Sequence, residues 1–143
     1  LVFHATNFSI GVYLLNLFSS QMAQTINSFD EYSPSIEESH HIHKLDKPSG
    51  TAITIAEDII SNSDYNNWKS TDVNNSISDI LINSTRKDDL PGTHKIKYSS
   101  KIDEIIISHI ANSREGFAFG AIIAAEWLIN KNGVFNMNDV LDI

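Results

Sequence analysis

The chain has 143 residues, enough for one domain with an ordinary core, and its 41% apolar and 20% charged content is that of a globular rather than a disordered protein. The formal charge of -8, from 18 acidic against 10 basic residues, excludes a general nucleic-acid binder, because no basic face is available to follow a phosphate backbone. Cysteine is absent, which excludes disulfides and thiol catalysis and fits a reducing, cytoplasmic setting.

In chain order, Leu1-Val2-Phe3-His4-Ala5 reads as a short buried strand. Asn7-Phe8-Ser9 leads into a helix capped by Asn7 or Ser9. Its apolar residues Ile10, Val12, Leu14, Leu15 and Phe18 are dense enough to bury most of its surface. His4, Asn7 and Asn16 interrupt residues 1–18 and no basic start precedes them, so neither an export signal nor a membrane span is expected. The chain begins with Leu rather than Met, and the expectation is that it starts partway through a larger protein. Ser28 to Ser33 is a polar connection, and Pro34 to His40 reads as a strand.

The next stretch, Glu38 to Ala52, holds His40, His41 and His43, three of the six histidines, together with Lys44 and Lys47. It runs through Pro48-Ser49-Gly50-Thr51 into a helix whose face is Ala52, Ile55, Ala56 and Ile59. Ser49 or Thr51 can cap that helix, and its first turn offers free N–H groups and a positive dipole end. With a basic cluster directly upstream, the stretch reads as an anion site with imidazoles beside it. In a strand-like reading His41 and His43 share one face and His40 takes the other. On the residues alone, a solvated polar turn accounts for the stretch as well as an anion site does. His40, His41, His43 and Asp46 are also zinc-ligand types, though their spacing is no standard helical pairing.

Ser61 to Ser78, rich in Asn, Asp and Ser, reads as a surface excursion anchored by Trp68. Strands are predicted over 77–86, 93–99 and 104–111, with Lys95 and Lys97 on a solvated face and His94 and His109 in the core or an interface. A helix over 114–130 and a short closing element from Phe135 complete the chain.

The run Glu38-x-His40-His41-x-x-Lys44-x-Asp46-x-Pro48-Ser49-Gly50-Thr51-Ala52 resembles the signature of dihydrodipicolinate reductase, a nicotinamide-dependent enzyme of the diaminopimelate route to lysine. Ala5 to Gly11 is similar to the hinge of that family. Pro91-Gly92-Thr93-His94, His109 to Arg114, Phe117-Ala118-x-Gly120-Ala121, Ala125-x-Trp127-Leu128 and Gly133-Val134-Phe135 resemble its second half. Ile42 stands where many members carry Arg, Lys47 where a small residue is common, and Thr93 where Glu is frequent.

The resemblance implies an α+β fold: a mixed, mostly antiparallel sheet of about four strands with helices on one face, whose other face, carrying Ile80, Ile82, Ile105 and Ile107, joins a homotetramer. It implies that 1–8 is the last strand and hinge of a nucleotide-binding domain. Residues 9–112 are then the substrate-binding and oligomerisation domain, and 113–143 the helix and closing segment that return to the nucleotide domain. It makes His40 the general acid, with Lys44 supplying charge. His41, Lys44, Ser49, Gly50 and Thr51 contact a small dicarboxylate substrate, and Asp46 holds Lys44 or the turn. Thr6, Asn7, Phe8 and Arg114 are placed near the cofactor, NADPH or NADH, and no metal is expected. The six glycines (Gly11, Gly50, Gly92, Gly116, Gly120, Gly133) include no G-x-G-x-x-G turn, so the chain alone is expected to be inactive in hydride transfer.

Overall fold

Burial alternates along the chain wherever the sheet forms. Pro34, Ile36, Glu38 and His40 are buried and their neighbours are not; Ile80, Ile82 and Ser84 repeat the pattern, as do His94, Ile96 and Tyr98. A strand sends successive side chains to opposite faces, so these runs share one buried face. The computed structural model describes residues 1–71 and 76–142. In it the runs become β2 (Ser33–His40), β4 (Asp79–Arg86) and β5 (Thr93–Ser99), joined by β3 (Asn67–Ser70) and β6 (Glu104–Ile110). The strand order is β3-β4-β2-β5-β6. The sheet is mixed: β5 pairs antiparallel with both β2 and β6, while β4 pairs parallel with both β2 and β3.

Helices α1 (Ile10–Ile26) and α2 (Gly50–Ser61) cover one face. The apolar residues of α2 recur at helical spacing, so Ala52, Ile55, Ala56 and Ile59 all point at Ile36, Ile80, Ile82 and Ile96; each of these eight is 0% exposed. Val2–Phe3 (β1) and Val134–Phe135 (β7) pair in parallel as a separate two-stranded sheet. Helices α3 (Glu115–Trp127) and α4 (Met137–Leu141) accompany it, the latter started by a capping box between Asn136 and Asp139. Among the described residues no helix is long and apolar enough to cross a membrane.

Three expectations change. The sheet has five strands, because part of the supposed surface excursion over 61–78 is β3, with Trp68 packed against the core. This strand pairs the outer edge of β4, which would otherwise present unpaired backbone groups. Residues 72–75 of that stretch lie outside the described ones. Ile80 and Ile82 face the helices, as does Ile107, so they are core; the open face carries Leu81, Ile106 and Ile110 among Glu37, Lys95 and Lys97. Parity alone could not separate the two faces where Ile105, Ile106 and Ile107 run consecutively. Helix α1 buries one stripe, Val12, Leu15, Ser19 and Ala23, and leaves Leu14 and Phe18 exposed.

Candidate functional site

Strand β2 stops at His40, whose carbonyl accepts the Lys87 N–H at 2.9 Å while Ile42 N–H bonds to the Asp88 carbonyl at 3.1 Å. The chain then turns, closed by Lys44 N–H to the His41 carbonyl at 3.1 Å. His41 and His43 therefore sit in a turn rather than on one strand face, with ring centroids 6.3 Å apart. The loop reaches α2 through a cis Lys47–Pro48 bond. Ser49 is the cap, its Oγ accepting the Ala52 N–H at 3.2 Å. Asn7 Nδ2 donates to Thr51 Oγ1 at 3.1 Å, and Asn7 Oδ1 accepts the Ser9 N–H at 2.8 Å. One side chain thus ties the segment before α1 to the first turn of α2.

Between that segment, the loop and the start of α2 and α3 lies a cavity of about 390 Å³. Its wall includes Thr6, Asn7, His40, His41, Lys44, Ser49, Gly50, Thr51 and Arg114, with Asp46, Pro91 and Phe117 completing it. Phe8 is not on the wall: its ring stacks on Phe3 at 5.6 Å and its carbonyl abuts Gly120. The wall is cationic. Lys44 and Arg114 carry fixed charge, the α2 N-terminus adds its dipole, and the one acid, Asp46, is paired with Lys44 at 2.9 Å. The hydrogen bond from Lys44 holds the Asp46 carboxyl below its ordinary range despite some burial. Burial, then the Arg114 guanidinium, pushes His41 below its own. A second cavity of about 420 Å³ beside α1 has Asp58 and no Lys or Arg on its wall, which is the wrong sign for an anion.

Behind the wall is a buried polar network that the sequence did not disclose. Glu38, 1% exposed, hydrogen-bonds His40 Nδ1, receives Arg86 at 2.9 Å on Oε1, and accepts the Ser49 N–H at 3.3 Å. Arg86 also donates to the carbonyls of Lys44 and Asp46 and so pins the loop. His94, 3% exposed, bonds Ser49 Oγ through Nε2 at 3.1 Å and meets the His40 ring edge-on at 5.0 Å. Glu38 and His40 share a face by strand alternation, a signal present in the sequence; Arg86 and His94 arrive only through strand pairing. The four residues that read as zinc ligands do not converge; among the described residues the metal-like group is Glu38, His40 and His94. Ser49→Ala removes a helix cap and a buried partner of His94 at once. It is expected to lower stability by about 2 kcal/mol, read by urea denaturation, where a cap alone gives about 1.

The family model described as "Dihydrodipicolinate reductase, C-terminus" matches residues 11–141. The chain belongs to that family. It is 45% identical over 139 residues to the 4-hydroxy-tetrahydrodipicolinate reductase of Christiangramia forsetii, covering 96% of this chain and 57% of that one. It is 37% identical over 153 residues to the enzyme of the same name from Campylobacter hominis, covering 99% and 57%. A solved structure, "Dipicolinate bound Dihydrodipicolinate reductase from Paenisporosarcina sp. TG-14", superposes with a TM-score of 0.71 at 23% identity, over 94% of this chain and 52% of that one, a likeness of fold. The chain thus spans a little over half the length of these relatives. The α+β fold with a mixed sheet agrees with the expectation drawn from the motif. The family depends on a nicotinamide dinucleotide. Among the described residues neither strand-to-helix passage carries the glycine-rich turn that cradles the pyrophosphate of such a cofactor: His4 to Ser9, between β1 and α1, contain no glycine, and the passage from β2 to α2 has Gly50 alone.

Proposed function

We propose that this chain is the substrate-binding part of a 4-hydroxy-tetrahydrodipicolinate reductase, an oxidoreductase that reduces an unsaturated cyclic dicarboxylate on the way to diaminopimelate and lysine. The observation that carries the reading is the cavity where His40, His41, Lys44, Arg114 and the Ser49-Gly50-Thr51 turn meet at the α2 N-terminus. Two carboxylates need cations and free N–H groups at fixed positions, and this wall offers both. Gly50 has open space at its Cα, so a carboxylate can approach the backbone closely. His41, Lys44 and the turn hold the carboxylates. His40, or a water it holds, gives a proton to the carbon beside the one that accepts hydride, and Lys44 offsets the negative charge there.

A nicotinamide dinucleotide, NADPH or NADH, would supply the hydride when bound and would be held largely by residues other than the ones described; Thr6, Asn7 and Arg114 are assigned to its near end, with Phe8 supporting from behind. The chain alone is therefore assigned no hydride-transfer activity. We assign 1–8 to the last strand and hinge of a nucleotide-binding domain, 9–112 to the substrate and oligomerisation domain, and 113–143 to the return. The β1–β7 pair and the exposed Phe119 and Ile122 of α3 support this division. The open sheet face with Ile106 and Ile110 is assigned to a homotetramer, and the enzyme to the cytoplasm, without nucleic-acid or membrane partners.

Calorimetric titration with pyridine dicarboxylate, a flat mimic of the substrate, tests the reading. Saturable binding is expected, weakened about tenfold or more by Lys44→Ala, the usual effect of losing a charge-assisted hydrogen bond. Binding that ignores Lys44→Ala would sink the assignment of this cavity. Binding that requires added zinc would favour a metal site.

A further inference from the structure

Glu38 has no contact with the cavity, yet its carboxylate is held on every side. One oxygen receives Arg86 and the Ser49 N–H, and the other lies against His40 Nδ1 and again Arg86. A carboxylate in such a site only accepts, so the hydrogen on this side of the imidazole resides on Nδ1. Nε2 is then left at the opposite edge of the ring, beside Gly92, where a Cβ would come within 3.1 Å of it. Gly92 follows Pro91, which lines the cavity. The ligand atoms of Glu38, His40 and His94 also lie within 4.8 Å of one another, close enough for a metal ion to bridge. A dication there would face the Arg86 guanidinium, 2.9 Å from Glu38 Oε1, and would have to displace it. The arrangement fits a histidine held by a carboxylate better than a metal centre.

We propose that Glu38 and Arg86 are positioning residues for His40: Glu38 fixes the Nδ1–H form and the ring plane so that Nε2 is the atom that exchanges a proton with substrate, while Arg86 fixes Glu38 and, through the Lys44 and Asp46 carbonyls, the loop that carries Lys44. The inference rests on the reading of His40 as the proton donor. It adds that one guanidinium couples the placement of the acid to that of the substrate cation. The carboxylate–imidazole logic is that of hydrolytic triads, where it sets tautomer and orientation without itself taking the proton.

The variant that separates the two functions is Glu38→Gln. Its amide oxygen takes the Oε1 position, where the Ser49 N–H and Arg86 both donate, so its NH₂ faces His40 Nδ1 and the ring switches to the Nε2–H form. Imidazole nitrogen NMR of the chain reads this directly: His40 is expected as Nδ1–H when neutral in the native protein and as Nε2–H in the variant. In the complete reductase, kcat is expected to fall about 10²-fold or more with KM for substrate within about threefold, since a proton-transfer group is lost and the carboxylate contacts remain. Arg86→Lys keeps a cation beside Glu38 but loses the fork to the loop; it is expected to keep the Nδ1–H form and to weaken pyridine dicarboxylate binding about fivefold or more. An unchanged tautomer in a folded Glu38→Gln, or an unchanged kcat, overturns the proposal, as does Arg86→Lys with native affinity. A native reductase that turned over no substrate would instead sink the functional reading, while the NMR result would still decide the positioning.

Discussion

Gly120→Ala is expected to lower the melting temperature by roughly 10 °C, corresponding to about 3 kcal/mol in a chain of this size. A Cβ at Gly120 would lie 1.7 Å from the Phe8 carbonyl oxygen and 2.8 Å from its carbon. Both are backbone atoms, so no side-chain rotation relieves the collision. Helix α3 would have to withdraw from the segment that precedes α1. That withdrawal would carry Arg114 and Phe117 away from the cavity wall, so pyridine dicarboxylate binding should weaken in the same variant. Gly116→Ala is the control. It lies on the same helix, its added methyl would meet only Ser9 Oγ at 3.9 Å, and replacing Gly by Ala raises helix propensity. Thermal unfolding of the pair decides the matter. Equal melting temperatures would mean that α3 is not seated on the Phe8 backbone.

Gly120 also marks how far the sequence could be read. A glycine inside a predicted helix says nothing about which atom it packs against, because the partner is 112 positions earlier in the chain. The elements themselves were legible wherever one periodicity dominated: alternation over 34–40 and 93–99, and helical spacing over Ala52, Ile55, Ala56 and Ile59. Strand β3 was hidden because Asn67-Trp68-Lys69-Ser70 has loop composition and is a strand only by pairing with β4. The burial of Ile80 and Ile82 was likewise set by which face the helices cover, which is a tertiary choice. The substrate-site residues His40, His41, Lys44 and Ser49-Gly50-Thr51 are nearly contiguous in the chain and meet at one cavity, which Thr6, Asn7 and Arg114 reach from distant segments and Phe8 does not. The support behind them is not contiguous. Glu38 and Arg86 are 48 residues apart, and Ser49 and His94 are 45 apart. A half-solvated strand pattern around His94 gave no sign that it would face a second histidine and a carboxylate.

That buried cluster should make the fold sensitive to acid in two stages. Burial, reinforced by the charge of His40, pushes His94 from an ordinary 6.5 down to about 3, against the opposing pull of Glu38 and with His109 and Lys44 nearby. The folded chain keeps His94 neutral where the unfolded chain protonates it, so the unfolded state binds more protons below pH 6.5 and stability falls with falling pH. By pH 5 this one residue should remove about 2 kcal/mol, and burial lowers His109 in the same direction. Glu38 acts lower on the scale. Burial alone would raise its carboxyl, but the hydrogen bonds with His40 and Arg86, with the Ser84 hydroxyl nearby, outweigh that and bring it from 4.5 to about 2. A depressed carboxylate contributes its stability in full above the unfolded value and loses it as pH falls through 4.5 toward 2, here about 3 kcal/mol. Urea denaturation at pH 7.5, 5.0 and 3.5 should therefore show a first loss between 7.5 and 5.0 that precedes Glu38 protonation. His94→Gln lacks the titrating ring, and its loss over the first interval should shrink by about 2 kcal/mol even if its stability at pH 7.5 is lower. If native protein and His94→Gln lose equal stability between pH 7.5 and 5.0, His94 is not held neutral. The second imidazole of the cluster would then compete with His40 for the proton that the proposed reaction needs.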